Sequence, residues 1–242
     1  MTTAKKSVII GKTGVILMRD KHLLAFTFAE TLLAVVIIGI IAAMTIPTLI
    51  NKYHNDTLQI SLKKQYRELE HNLTALQADT FYKSTLQRSI LNKKYAEAET
   101  VEASAGKFIT EFYTLTTDCG TTAQPCFAST YRSISGASAD FECTNGYSAL
   151  LKGGAAICIV PASDTVDKAR VVIDVNGTEA PNIGGRDMFD FYIYSNFSID
   201  EISPADIKNN TGRTTINAKC TTSPTGQGCL SRLLDNNWKM NY

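Results

Sequence analysis

The distribution of apolar residues divides the first third of the chain into two parts that require different surroundings. Residues 31–50 (TLLAVVIIGIIAAMTIPTLI) contain no charged side chain. Twenty helical residues, at about 1.5 Å each, are long enough to cross a hydrocarbon core of about 30 Å. Farther on, apolar residues recur every three or four positions, which predicts a helix with one apolar stripe. The stripe consists of Leu58, Leu62, Tyr66, Leu69, Leu73 and Leu76.

The remainder of the chain contains segments that are typical of short strands. Residues 156–160 and 170–175 are apolar and β-branched, residues 189–194 alternate with a period of two, and residues 197–202 continue the pattern. We therefore expect three or four antiparallel strands. Residues 79–118 have helical pieces, of which 107–113 is the clearest, and residues 119–148 are typical of a loop.

These patterns predict the α+β fold class and three regions. Residues 1–25 precede the apolar segment. Residues 26–79 form one long helix, with a transmembrane half at about 27–50 and an exported half beyond it. The exported half packs against a small antiparallel β-sheet in a globular head at residues 80–242, with loops held by disulfides.

The charge of residues 1–25 predicts the orientation in a membrane. This segment has five basic residues against one acid, Asp20, and the positive-inside rule keeps such an end in the cytoplasm. Everything after Ile50 is then exported. An ordinary secretory signal is the alternative, but its apolar core has 7–15 residues and a small-residue cleavage site, and Ala42-Ala43-Met44 is a poor one.

Glu30 is the acid at the edge of the charge-free segment. A carboxylate costs about 2.5–3.5 kcal/mol at the centre of a bilayer and less near the interface, so such an acid is expected to be functional and to have a cationic partner. Glu30 also lies in the first helical turn, where negative charge suits the helix dipole. The alternative is a signal-anchor with a stray acid at its edge.

Residues 25–30 (AFTFAE), followed by the apolar helix, resemble the class III signal of type IV prepilins. That family includes type IV pilins and the pseudopilins of type II secretion. Its membrane-bound prepilin peptidase cuts before a Phe, whose new amino group is methylated. The resemblance implies that residues 1–25 are a prepilin leader peptide, that cleavage falls between Ala25 and Phe26, and that Phe26 is methylated. The family usually has Gly where this chain has Ala25.

The resemblance also implies how such a subunit assembles. The free amino group of Phe26 is largely cationic at neutral pH, and helices that pack side by side with an axial shift bring it to the neighbour's Glu30. Low dielectric strengthens this pair and penalises either charge alone. Gly39 and Pro47 fall where pilin helices carry a Gly and a Pro. Pro47 removes a backbone hydrogen bond, which predicts either loosening between these two residues or a kink at the membrane exit.

The expected function is that of a structural subunit, a pilin or pseudopilin, of a type IV pilus or a type II secretion pseudopilus. Its partners are copies of itself, other pilins or pseudopilins, prepilin peptidase and the membrane. It is a single-pass protein of the inner (cytoplasmic) membrane with an exported head, and it then enters the pilus or pseudopilus. No catalytic residue and no cofactor is assigned, apart from the calcium considered below.

All six cysteines lie after residue 80, in the predicted head. An even number in an oxidising compartment indicates disulfides, and no C-x-x-C spacing supports the alternative of a metal site. Six cysteines allow fifteen sets of three pairs. We expect the set that joins nearest neighbours, which is Cys119–Cys126, Cys143–Cys158 and Cys220–Cys229.

Residues 174–187 (DVNGTEAPNIGGRD) lie between two predicted strands and resemble stretches in pseudopilin-like heads, as does the W-K-x-x-Y pattern at 238–242. Asp174, Asn176 and Asp187 offer oxygen ligands near a Gly, as a calcium site requires. Some major pseudopilins bind calcium in this region, which makes calcium a candidate cofactor. The alternative is an Asn-Gly turn in which the Asp side chains cap backbone amides.

Two other function classes remain open on the sequence. A minor pilin that binds DNA or a surface is one, although residues 26–242 carry more acidic than basic residues, and a phosphate-binding surface favours the reverse. A membrane-anchored exported binding domain is the other. The three histidines, His22, His54 and His71, all precede the predicted head, so the head alone has no Ser-His or Cys-His pair for catalysis.

Overall fold

The computed structural model describes residues 27–78, 85–96, 99–163, 165–208 and 212–242. Its first element is helix α1 (Phe28–Ala78). The chain divides into two compact units, one of which ends at Leu49, whereas the other extends from Ile50 to Tyr242. The second unit holds the part of α1 after Leu49 together with all the strands and short helices.

Eight short strands, four short α-helices and two 3₁₀-helices (Leu86–Arg88 and Lys93–Tyr95) follow α1 in the described residues. The strands are β1 (Leu115–Gly120), β2 (Thr130–Arg132), β3 (Ser138–Asp140), β4 (Tyr147–Leu151), β5 (Ala156–Val160), β6 (Ala169–Asp174), β7 (Met188–Ile193) and β8 (Ile199–Asp200). The helices are α2 (Lys107–Phe112), α3 (Pro204–Lys208), α4 (Arg213–Lys219) and α5 (Cys229–Asp235). A π-helical turn, Glu102–Gly106, leads into α2.

The main sheet has six strands in the order β1-β4-β5-β6-β7-β8, and every neighbouring pair is antiparallel. Strands β4 to β8 follow one another as a meander. Strands β2 and β3 form a separate hairpin, which is joined to the β6–β7 connection by a bridge between Arg132 and Ile183.

The sheet is covered on both faces. One face packs against α1, α2 and α5 through residues such as Ile157, Val171 and Phe191. The other face packs under the loop region of residues 123–143, where Phe127, Tyr131 and Phe141 lie over Cys158 and Val172. Because both faces are buried, β5 and β6 are nearly continuous apolar runs and do not alternate with solvent-exposed residues.

The α+β class, the long N-terminal helix and the antiparallel sheet agree with the sequence analysis. The expected number of three or four strands was too low, because β1 and β4 also join the sheet. Strand β1 reads LTTDCG and is only half-buried, so its sequence looks like a polar loop. Its strand conformation depends on pairing with β4, about thirty residues later, which local pattern does not reveal.

The predicted stripe on α1 is confirmed in the second unit. Leu62, Leu69, Leu73 and Leu76 are fully buried, and Leu58 and Tyr66 pack against the same core from partly exposed positions. Two polar residues, Gln65 and Asn72, are buried on the same face. The helix therefore docks on the sheet through one row of side chains, as an amphipathic helix does.

Candidate functional site

The start of α1 is held by reciprocal hydrogen bonds between Thr27 and Glu30. The Thr27 backbone N–H and hydroxyl donate to Glu30 Oε2 at 2.7 and 2.9 Å, and the Glu30 N–H donates to Thr27 Oγ1 at 3.3 Å. This arrangement is a capping box, which satisfies amide groups that a helix N-terminus leaves without partners. Its sequence signal is the Thr-x-x-Glu spacing of residues 27–30, whereas the expectations drawn from the sequence treat Glu30 only as a charge for the helix dipole and for assembly.

The capping box engages only one oxygen of the Glu30 carboxylate. Both Thr27 donors reach Oε2, and no residue in the described part of the chain donates a hydrogen bond to Oε1. Glu30 is exposed. The side chain can therefore cap its own helix and still offer an anionic oxygen to another group.

The first half of α1 exposes apolar side chains all round its circumference. Phe28, Val35, Ile38, Met44 and Leu49 are each more than 60 % exposed. Among the described residues, α1 is the one helix that is long and apolar enough to cross a membrane, judged by length and composition. An apolar surface of this kind is stable only when lipid or other protein covers it.

Gly39 and Pro47 both lie inside α1, which is helical on either side of them. Gly39 has no neighbouring atom close to the position of a Cβ. Near Pro47, the hydroxyl groups of Thr45 and Thr48 donate to the carbonyls of Ile41 and Met44 at 2.9 and 3.3 Å. The predicted loosening of this segment stays a prediction. Ala25 and Phe26 lie outside the described residues.

The six cysteines form three disulfides, and each joins nearest neighbours in the sequence. Cys119–Cys126 closes a loop after β1, Cys143–Cys158 ties the segment before β4 to β5, and Cys220–Cys229 links α4 to α5. No cysteine is free. The expected pairing is thus the one in the structure.

Asp174, Asn176 and Asp187 come together at the β6–β7 connection, where their side chains bind backbone and hydroxyl groups. Asp174 Oδ2 accepts a hydrogen bond from the Tyr131 hydroxyl, and its Oδ1 accepts one from the backbone N–H of Asn176 at 3.1 Å. The Asp187 carboxylate accepts hydrogen bonds from the backbone N–H groups of Asn182 and Ile183 at 2.6 and 2.7 Å. Both Asp residues are fully buried.

This donor set fits the capped turn better than it fits a calcium site. N–H and O–H groups, which a cation would repel, point at both oxygens of each carboxylate. The Asn176 side-chain N–H₂ donates to the carbonyls of Glu179 and Ala180. Burial and the nearby Asp187 raise the pKa of Asp174 to about 7, and burial raises the pKa of Asp187 to about 6.

A second pair of acids, Asp200 and Glu201, fastens the C-terminal part of the head to the sheet. The Glu201 carboxylate accepts hydrogen bonds from the backbone N–H groups of Gly228 and Ser231 at the start of α5, the one from Ser231 at 2.7 Å. Burial raises the pKa of Glu201 to about 8 against these hydrogen bonds. Arg213 binds Asp200 at 3.0 Å and Asp235 at 3.4 Å. Sequence reasoning missed this network, because its partners are distant in the chain.

The described residues contain no group of three or more His, Cys, Asp or Glu side chains that is arranged to hold a metal ion. His54 and His71 both lie on α1. Comparison of the chain with protein-family models, with curated proteins and with solved structures finds no match.

Proposed function

We propose that this protein is a pilin-like structural subunit, anchored by the first half of α1 and assembled through that helix into a type IV pilus or a type II secretion pseudopilus. One observation carries the proposal. An exposed acid, Glu30, caps an exposed and otherwise charge-free apolar helix, and the same helix continues into a folded α+β head.

The exposed apolar surface supports anchoring and lateral assembly. Residues 31–50 have no charged side chain, and all of them except Ala42 are exposed in the described structure. In a bilayer, lipid covers this surface. In a filament, the same surface packs against copies of itself, which is the arrangement that a pilin-like subunit requires.

Glu30 supplies the register in this proposal. Its Oε2 holds the capping box, and its Oε1 is offered to the amino group that cleavage after Ala25 would create on Phe26 of a neighbouring subunit. In a low-dielectric surrounding, a pair of this kind forms at one axial offset, because leaving either charge without a partner costs several kcal/mol. Prepilin peptidase and other pilins or pseudopilins are the proposed partners.

The decisive experiment compares Glu30→Gln with Glu30→Ala in cells that assemble the parent protein. Glutamine retains a side-chain oxygen and suits the third helical position of a capping box as glutamate does, but it has no charge. We expect both variants to insert and to export the head normally, and both to reduce assembled filament about tenfold or more, which corresponds to roughly 1.4 kcal/mol.

Two results would contradict the proposal in different ways. Parental assembly of Glu30→Gln, with a defect only in Glu30→Ala, would make Glu30 a helix cap and nothing more. An intact Met1, found by mass spectrometry of the mature protein in place of a methylated Phe26, would favour a plain membrane anchor. Glu179→Gln, an exposed acid in the head, is the matched control and is expected to assemble like the parent.

A further inference from the structure

The segment 237–242 crosses from α5 to α1 without regular secondary structure. Its side chains alternate, with Trp238, Met240 and Tyr242 half-buried and the residues between them exposed. We infer that this segment, here named the C-terminal clasp, is a fastening between α1 and the head that opens as a unit while the sheet stays folded. The inference does not depend on the chain being a filament subunit.

The clasp holds α1 by one row of residues on the helix. The Trp238 ring meets the Tyr66 ring edge-on, with centroids 5.0 Å apart, and Lys63 Nζ lies 5.9 Å from the Trp238 ring centroid. The Met240 amide donates to Gln59 Oε1 at 3.0 Å. Residues 59, 63 and 66 are four and three positions apart, so they share one face of the helix.

The other end of the clasp is fixed to the β6–β7 connection. The Tyr242 hydroxyl donates to the Gly185 carbonyl at 3.0 Å, and the Arg186 side chain donates to the Tyr242 carbonyl. The Arg186 and Arg232 guanidinium groups lie 5.5 and 4.8 Å from the Tyr242 ring centroid. One short segment thus connects α1, α5 and the loop that carries Asp187.

The turn that starts the clasp has an unfavourable backbone. Asn237 and Trp238 have φ values of 51° and 63°, and the left-handed region costs a residue with a bulky side chain roughly 1–2 kcal/mol. The Trp238 amide donates to the Leu233 carbonyl at 2.7 Å. The contacts of the clasp must offset this cost, so the closed state is favoured over the open one by less than the contacts alone suggest.

Opening of the clasp leaves the sheet intact. In the described structure, residues 237–242 form no backbone ladder with any strand, and their hold on α1 is one hydrogen bond and side-chain packing. Segments of this kind open locally at a lower free energy than the core. Beyond the clasp, Leu69, Leu73 and Leu76 remain buried against the sheet. Opening of the clasp therefore removes the contacts that Gln59, Lys63 and Tyr66 make with it, while the buried leucines keep α1 on the sheet.

Trp238 is the single tryptophan of the chain, which makes its fluorescence a specific probe of the clasp. We would titrate the full-length protein in detergent micelles with urea and follow Trp238 emission, its quenching by acrylamide and the far-ultraviolet circular dichroism. We expect Trp238 to become accessible to acrylamide at a lower urea concentration than that at which the circular dichroism signal is lost. Coincident transitions would overturn the inference, because the clasp would then open only with the whole head.

Variants identify the contacts that keep the clasp closed. Gln59→Leu removes the acceptor for the Met240 amide, and Tyr242→Phe removes the donor to Gly185. Since a hydrogen bond contributes about 1 kcal/mol, each is expected to raise the open-to-closed ratio about fivefold and to speed amide exchange in residues 58–66. Lys239→Gln, on an exposed clasp residue, is the matched control. If acrylamide quenches Trp238 fluorescence to the same extent in both variants and in the control, the assigned contacts do not hold the segment.

Discussion

The two halves of α1 are parts of one helix with opposite requirements. The half from Phe28 to Leu49 has no buried residue, whereas the half from Ile50 to Ala78 buries six, four of them leucines. Both halves are rich in apolar residues. The halves differ in their polar residues, which are nearly absent from the first half and surround the apolar stripe in the second.

This difference shows that helical structure is not what separates the two halves. A helix that is apolar all round has no face for water, and one with a single apolar stripe has a face for the core and a face for solvent. The same secondary structure therefore presents an exposed apolar surface in one half and a buried apolar stripe against the head in the other.

The largest effect is expected from shortening a side chain of the buried stripe. Leu69 is 0 % exposed and Ile38 is 65 % exposed. Leu69→Ala should lower the free energy of unfolding of the head by about 2–5 kcal/mol, because it leaves a cavity under α1. Ile38→Ala should leave it unchanged. Urea unfolding in micelles measures both, and equal losses would show that the stripe does not hold the helix on the sheet.

A disulfide is expected to matter only to the second unit. Replacing Cys220 and Cys229 together by Ser removes the bridge between α4 and α5 and should lower the free energy of unfolding of the head by about 2–4 kcal/mol. The helical content of residues 28–49 should not change. Thermal unfolding with and without reductant provides the measurement, and an unaltered melting temperature in the double variant would contradict it.

The stability of the head should depend on pH, whereas residues 31–50 have no titratable side chain. Burial raises the pKa values of Asp174, Asp187 and Glu201 to about 7, 6 and 8. Because the folded-state pKa of each exceeds that of the unfolded chain, stability is greatest in acid and is lost as pH rises through these values. Each unit of raised pKa corresponds to about 1.4 kcal/mol, so we expect the free energy of unfolding to fall by a few kcal/mol between about pH 5 and about pH 8.

Glu201→Gln tests the same dependence at one group. It should reduce the loss of stability at all pH values between about 5 and about 8, abolish it between about pH 7 and about pH 8, and leave the loss due to Asp174 and Asp187 at lower pH. Urea midpoints at a series of pH values are the readout. If the variant shows the same pH dependence of the urea midpoint as the parent protein, a group other than Glu201 produces it.

The smallest effect on the head is expected from Pro47→Ala. Proline lacks the N–H that the helix requires at this position, so the variant should slow amide exchange in the turns around residue 47. Because Pro47 lies in the first unit, head stability should change by less than about 0.5 kcal/mol. Hydrogen exchange with mass spectrometry compares the two regions, and a large change in the sheet would contradict the separation.

The sequence predicts the parts of the fold that carry long or local patterns. The stripe from Leu58 to Leu76 repeats over five helical turns, so its helix and its buried face follow directly from spacing. The disulfides join nearest neighbours and need no knowledge of the fold. Strand β1 is different, because its six residues are half-polar and become a strand only by pairing with β4.

The candidate site shows the same limit. The Thr27–Glu30 cap is written in four consecutive residues, whereas the role of Glu201 depends on amides 27 and 30 residues away. Nothing near Glu201 in the sequence signals that it is buried. Tertiary contacts alone decide that this acid faces the start of α5. Asp187 is different, because it accepts hydrogen bonds from the backbone amides of Asn182 and Ile183, five and four residues earlier.

The contact between Met240 and Gln59 has a consequence for the order in which the protein is made. These residues are 181 positions apart. In contrast, each of the strands β4 to β7 pairs with the next strand in the chain, and each disulfide joins cysteines that are neighbours in the sequence. In the proposed topology the head is exported N-terminal end first, so strands β4 to β8 emerge before residues 238–240, and Gln59 and Tyr66 still await their last partners. Until those residues arrive, we expect that stretch of helix to be the preferred binding site for chaperones on the exported side of the membrane.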